Sequence, residues 1–280
     1  MLPPPAKLRR PGLGPRGVLP DLASLKERIA ARGMTLGAPL ELLAETTSTN
    51  DLAKDGARSG APHGATFVAE RQTAGRGRQG RVWLGEPGES LLFSVLLRVP
   101  CALSRLPPLA LVAGLAVRDA IAKATATEPQ LKWPNDVLLG QRKVAGVLVE
   151  GIVQGERATA IVVGVGINVH ARVFPEAIAE VATSVALHAE RPPDRAELLA
   201  DVLAGLDRDV GLVAARGVGM VHARLTRADA LFGRAVRSDD ASSGGDRGVG
   251  GGIDADGRLI VVRADGTRAH WSSGEVHLVR

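Results

Sequence analysis

The sequence predicts a domain of mixed helices and strands followed by a small β-barrel, and three observations carry that expectation. Apolar runs of strand length recur at residues 91–97, 143–150 and 160–169. An alanine-rich stretch over residues 109–126 keeps helical spacing through Leu111, Leu115 and Ile121. From Gly233 the texture changes to short strands and tight turns, with Asp256-Gly257 and Asp265-Gly266 as hairpin signals. At 280 residues and 45% hydrophobic content, the chain is long enough for one good-sized domain and a small one.

Composition removes several classes of function. No apolar run approaches the length of a membrane span, and the N-terminus lacks the continuous hydrophobic segment of a signal peptide, so a cytoplasmic protein is expected. The single Cys101 excludes an internal disulfide, and the six histidines show no ligand spacing, so no metal-site signature is visible. A net charge of +5 invites a nucleic-acid partner, but the basic residues are dispersed rather than gathered on one helix. Lysine is scarce: Lys7, Lys26, Lys54, Lys123, Lys132 and Lys143 stand in an arginine-rich background, and two of them fall in one short segment. Because the two cations differ in shape, a lysine kept in such a chain asks for a functional reason.

Taken in order, residues 1–20 are rich in proline with Lys7, Arg9, Arg10 and Arg16, which favours an extended tail. Asp21 is expected to cap a short helix running to Ile29, and residues 40–43 a strand. One helix leaves too little chain for a winged helix-turn-helix, so no DNA-reading domain is expected. Ser48-Thr49-Asn50 is placed to cap a helix from about Asp51, and one such residue suffices for capping, leaving two able to face a ligand. Residues 65–69 form a strand, and residues 91–97 a buried one. Residues 131–139 and 143–150 make a hairpin about Gly140-Gln141-Arg142, with Pro134 holding Trp133 extended and Asn135-Asp136 readable as turn residues. Lys143 heads an otherwise apolar strand, where it must escape to water or face an anion. The strand at 160–169 carries Gly164 and Gly166, which mark a close approach to the backbone, and ends on the polar Asn168. Leu199, Val202, Leu203, Leu206, Val210 and Val213 keep helical spacing, and residues 238–251 read as a low-complexity hairpin tip.

Gly75-Arg76-Gly77-Arg78-Gln79-Gly80-Arg81 hangs from the strand at 65–69 and concentrates guanidinium groups among glycines. Arginine forks suit carboxylate or phosphate oxygens, and glycine lets the backbone approach a ligand. Three better-known glycine loops fail on context. The dinucleotide loop must open a helix, which residues 82–88 cannot form; the kinase loop needs His-Arg-Asp and Asp-Phe-Gly elsewhere; a Walker loop needs Lys then Ser or Thr after Gly80. An arginine-rich anion loop remains, beside the plainer reading of a solvated basic turn.

With these residues on the page, the chain from Thr46 to Arg280 resembles the biotin protein ligases. Ser48-Thr49-Asn50, Gln72 with the loop at 75–81 and Trp83, KWPNDV at 132–137, KVAG at 143–146 and GVGINV at 164–169 recur in the family's order. The resemblance implies an α+β catalytic domain over 21–230 with a mostly antiparallel sheet, akin to class II aminoacyl-tRNA synthetases, and a Src-homology-3 type barrel over 231–280. It implies that biotin and ATP, with Mg2+, give biotinyl-5′-adenylate, and that the biotinyl group passes to a lysine of a biotin carboxyl carrier domain of acetyl-CoA carboxylase or a related carboxylase. Carried over by position, Ser48, Thr49, Asn50, Gln72, Arg76, Gly77, Arg78, Lys143 and Gly146 would hold biotin. Arg78, Arg81, Trp83, Asp136 and Asn168 would serve the nucleotide, and Lys143 and Arg78 would act in catalysis. No residue is assigned to the metal.

The family's larger members carry an N-terminal DNA-binding domain, which this reading replaces by a proline-rich tail, so a monofunctional ligase is expected. A lipoate-protein ligase would share the adenylate chemistry but not this loop. A nucleic-acid-binding module explains the charge and the arginines, and leaves the hairpin lysine and the glycine-bearing strand without a role.

Overall fold

The computed structural model describes residues 20–83, 85–238 and 247–279. The expected tail at 1–20 lies outside them apart from Pro20. The fold is α+β. Its main sheet runs β1-β2-β3-β8-β7-β6-β5, with β4 (Cys101–Ala102) also paired to β8. β1 (Leu40–Thr46) and β2 (Thr66–Gln72) are parallel; β3 (Ser90–Leu97), β8 (Arg157–Asn168), β7 (Arg142–Gln154), β6 (Asp136–Leu139) and β5 (Gln130–Lys132) continue antiparallel, so the sheet is mixed.

Helices cover both faces, and strand periodicity says which residues meet them. Leu91, Phe93, Val95 and Leu97 of β3, with Ile161, Val163, Val165 and Ile167 of β8, enter the main core beneath α3 (Leu106–Ala124) and α4 (Arg195–Arg216). Leu96, Ala160 and Val162 face the other way, into a smaller cluster under α2 (Thr49–Arg58) with Ala53, Ala65 and Phe67. Cover on both sides is why β3 is buried at every position. The helix α4 begins at a working cap, since the Asp194 carboxylate accepts from the amides of Ala196 and Glu197.

The C-terminal segment forms a separate antiparallel sheet, β12-β11-β10-β9-β13, from β9 (Ala235–Ser238), β10 (Arg247–Ile253), β11 (Leu259–Val262), β12 (Arg268–Trp271) and β13 (Val276–Leu278). Val236, Ile253, Leu259, Val261, Trp271 and Val276 join the same core as α3 and α4, which ties the small sheet to the large one.

Several local expectations change. Asp21 does not cap a helix: it pairs with the buried Arg195, and α1 spans Leu25–Ala31. Residues 131–139 are not one strand but β5 and β6, folded back at Trp133-Pro134-Asn135 because Asn135 binds Val147 through both its side chain and its carbonyl. Of the hairpin tip expected at 238–251, Ser238 belongs to β9, residues 247–251 belong to β10, and 239–246 lie outside the described residues. No helix among the described residues is long and apolar enough to cross a membrane.

Candidate active site

The face of the main sheet under α2 is stripped of side chains where the site lies. Gly164 and Gly166 of β8 and Gly146 of β7 all point there, and each emptiness is filled. A Cβ at Gly164 would overlap the Asn50 carboxamide, one at Gly166 would stand 2.5 Å from the Trp83 indole, and one at Gly146 would meet both Trp83 and Lys143. The glycines therefore let Asn50 and Trp83 lie flat on the backbone. At the N-terminus of α2, Ser48 occupies the capping position but makes no cap hydrogen bond, so capping does not account for it. Thr49 donates from its amide and its hydroxyl to Gln72 Oε1, at 2.7 and 3.1 Å. Ser94 Oγ lies 2.8 Å from Thr49 Oγ1 and 2.6 Å from Asn50 Oδ1.

The arginine loop folds over this surface as a short closed excursion. Gly77 N donates to Arg81 O at 2.7 Å, Trp83 N donates to Gly75 O at 3.1 Å, and Gln79 adopts φ 54°. No helix opens at Gly80, which agrees with rejecting the dinucleotide loop. Its arginines do have carboxylate or carbonyl partners from distant segments. Arg76 Nη2 lies 2.5 Å from Asp51 Oδ1 and 3.5 Å from Glu150 Oε2, Arg78 Nη1 is 3.5 Å from Gly274 O, and Arg81 pairs with Glu275. The plain solvated turn is therefore set aside.

Lys143 reaches the same face by an irregularity. Val137 pairs with Ala145 and Leu138 with Lys143, so Val144 is an extra residue in β7. Val144 and Ala145 both enter the core, and the bulge turns Lys143 to the side of Asp136 and Gly146. Its Nζ is 2.7 Å from Asp136 Oδ1 and 5.5 Å from the centre of the Trp83 ring. The segment after β8 holds it there: Lys143 N donates to Val181 O at 2.7 Å and Thr183 N donates to Lys143 O at 2.9 Å.

Two neighbouring cavities share Arg81, Val82, Trp83 and Lys143 as a wall. The first is lined by Ser48, Thr49, Asn50, Gln72, Arg76, Gly77, Arg78, Asp136 and Gly146, so every residue singled out in the sequence except Asn168 borders it. Asn168 borders the second, with Phe174, Ile178 and Ala182, and donates to Thr183 O at 3.0 Å.

The first cavity is strongly cationic. Burial lowers the pKa of the Arg78 guanidinium, against the opposing pull of Asp136, with Arg81 adding to the lowering. Burial likewise lowers Lys132, which Asp136 partly offsets and Lys143 and Arg81 reinforce. Arg76, Arg78, Arg81, Lys132 and Lys143 border this cavity against only two bordering carboxylates, Asp136 and Glu275, and that excess of positive charge favours an anionic ligand. Lys132 borders the cavity but had no role in the sequence reading, although it is one of the two lysines in that short segment. Gly274, Glu275 and Val276 also border it, brought from the C-terminal sheet with no local signal in the sequence. Among the described residues, no group of three His, Cys, Asp or Glu side chains could hold a metal.

Comparison with known proteins matches this architecture. Residues 42–168 fit the model of the biotin/lipoate A/B protein ligase family and residues 247–279 that of the biotin protein ligase C-terminal domain. The chain is 34% identical over 264 residues to the biotin–[acetyl-CoA-carboxylase] ligase of Mycobacterium tuberculosis, covering 92% of this chain and 96% of that protein. It is 31% identical over 264 residues to the bifunctional ligase/repressor BirA of Escherichia coli, covering 93% and 80%. It spans about half, 49%, of the Bacillus subtilis bifunctional ligase/repressor, to which it is 36% identical over 159 residues. The solved biotin protein ligase of Aquifex aeolicus in complex with biotin and ATP superposes with a TM-score of 0.73 at 32% identity, over 85% of this chain and 97% of that one. The chain belongs to the biotin protein ligase family.

Proposed function

We propose that the protein is an ATP-dependent biotin protein ligase that adenylates biotin and passes the biotinyl group to one lysine of a carboxylase's carrier domain. The observation that carries this is Lys143 in the wall common to two cavities, beside Trp83 and a cluster of cations. Joining a carboxylate to a triphosphate requires two anions to meet, and a compact cation between them offsets their repulsion. The family resemblance and the biotin and ATP bound by the Aquifex aeolicus relative support the same reading.

In this reading the first cavity takes biotin. Ser48, Thr49, Asn50 and Gln72 offer hydroxyls and amides to its polar ring, while Arg76, Gly77, Arg78 and Gly146 enclose the chain leading to its carboxylate. The second cavity takes the nucleotide, with Trp83 and Asn168 on its walls, Arg81 at the junction, and Asp136 beside it through its pair with Lys143. A carboxylate oxygen of biotin attacks the α-phosphorus, the bond to pyrophosphate breaks, and biotinyl-5′-AMP forms. Lys143 and Arg78 stabilise the negative charge that grows on the phosphoryl oxygens. The acceptor amine then attacks the acyl carbon, the bond to AMP breaks, and the amine's proton leaves as the amide forms. The loop at 75–81 excludes water from the reactive anhydride. Magnesium would arrive on the phosphates of ATP, and the carboxylates bordering the two cavities are Asp136 and Glu275 in the first and Glu86 and Glu89 in the second.

The fold reading extends to a class II synthetase-like catalytic domain over 21–230 and a Src-homology-3 type barrel over 231–280; the helices packed on the mixed sheet and the five antiparallel strands support it. We further read the protein as cytoplasmic and monofunctional. A gel shift with its own promoter in the presence of biotin and ATP should give no salt-resistant complex. The deciding experiment is transfer of biotin to a carrier domain in the presence of ATP, read by mass; transfer of lipoate instead, or no transfer, defeats the reading.

A further inference from the structure

Glu150 borders neither cavity, yet three residues of the first cavity's surroundings converge on it. It stands on β7 two and four positions beyond Leu148 and Gly146, so all three share the face under α2. Opposite it in β8 is Val162, and the neighbouring pair on that face is Leu148 with Gly164. Gly164 has no side chain to block the way, so the Asn50 carboxamide crosses it and its Nδ2 donates to Glu150 Oε2 at 2.7 Å. Lys54 Nζ donates to Glu150 Oε1 at 2.5 Å, and Arg76 Nη2 approaches Oε2 to 3.5 Å while also holding Asp51.

This arrangement settles which way Asn50 points. An ionised carboxylate only accepts hydrogen bonds, so it draws the amide nitrogen, and the Ser94 hydroxyl 2.6 Å from Oδ1 completes the choice. The same carboxylate holds the first arginine of the loop over the cavity. Burial alone would raise the Glu150 carboxyl, but Lys54, Asn50 and Arg76 hold it below its usual range, so it is ionised at neutral pH.

We propose that Glu150 is a positioning residue for biotin, orienting the Asn50 carboxamide and tethering Arg76 so that the loop at 75–81 is set for the ligand. This rests on the biotin-ligase reading of the first cavity. Lys54 balances the charge of Glu150 from the outer side and its ammonium lies 3.6 Å from Asp51; it is not hydrogen-bonded to the Asn50 side chain and does not border the cavity.

The test compares wild type, Glu150→Gln and Lys54→Met in the full chain. Glu150→Gln keeps shape and one acceptor but loses the charge, and its amide lets Asn50 turn over. It should raise KM for biotin roughly tenfold, the scale of one hydrogen bond to a charged group. The kcat at saturating biotin and KM for ATP should change less than about twofold, and amide exchange at 75–81 in the unliganded protein should quicken. Lys54→Met should leave KM for biotin within about twofold, because Glu150 keeps Asn50 and Arg76. An unchanged KM for biotin in Glu150→Gln overturns the proposal, as does an equal rise in Lys54→Met, which would make the cluster a stability device only. If the wild type shows no biotin-dependent turnover, the ligase reading has failed instead. Exchange at 75–81 then decides the tether alone: quickening in Glu150→Gln sustains it, and no change overturns it.

Discussion

Lys143 Nζ lies 2.7 Å from Asp136 Oδ1 across a one-residue bulge in β7. Without Val144 as the extra residue, the alternation of the strand would turn Lys143 into the core with Ala145 and Val147, away from both cavities.

Lys143→Arg keeps the charge but replaces a compact ammonium by a planar fork in a site crowded by Trp83 and Gly146. Adenylate formation, read as pyrophosphate release in a single turnover at saturating biotin and ATP, should slow by about 100- to 1000-fold, the scale of losing one such donor. Purified biotinyl-adenylate should restore much of the carrier labelling. A mutant rate equal to wild type would make Lys143 a solubilising charge.

Gly166→Ala drives a methyl into the Trp83 indole, which has β8 on one side and the cavity on the other. The ring should leave the wall, with a shift in tryptophan emission and a loss of ATP affinity of at least tenfold, at a stability cost of about 1–3 kcal/mol. Gly211 in α4 meets nothing within 4 Å, so Gly211→Ala should leave activity intact and stabilise the helix by roughly 0.5–1 kcal/mol. Equal effects of the two substitutions would refute the packing account of Gly166.

The loop at 75–81 is tied down by Asp51, Glu150, Glu275 and the Gly274 carbonyl, yet most of these pairs are exposed or shared and so individually weak. Biotin should slow amide exchange at 75–81 by adding a central anion for the arginines. Equal protection with and without biotin would identify a rigid cradle rather than a lid.

Asp209 is buried against Arg208 and Arg224, whose guanidinium groups bond its carboxylate at 2.7 Å each. Burial alone would raise its carboxyl, but those bonds hold it below the usual range. A depressed carboxyl contributes stability that is present above its unfolded value and is lost as the pH falls toward the folded one. Asp209→Asn should therefore cost about 1–3 kcal/mol at neutral pH, and its deficit should shrink between about pH 5 and pH 3. A deficit that stays constant over that window would show that the charge contributes nothing.

The sequence by itself determined that β1, β2, β3, β7 and β8 and the helices α2, α3 and α4 exist, though not the split of residues 131–139 into β5 and β6, and it marked the close approach at Gly164 and Gly166. Those readings depend on residue type and on a period along one strand, both of which are local. Only the tertiary structure decided that Lys143 points to the site, because a bulge reverses the face that alternation assigns. It alone released Ser48 from capping and gave the loop arginines their carboxylate partners. It also brought Glu150 under Asn50 and Glu275 to Arg81, since strand order and the docking of the small sheet set which distant residues meet, and neither is written in spacing along the chain.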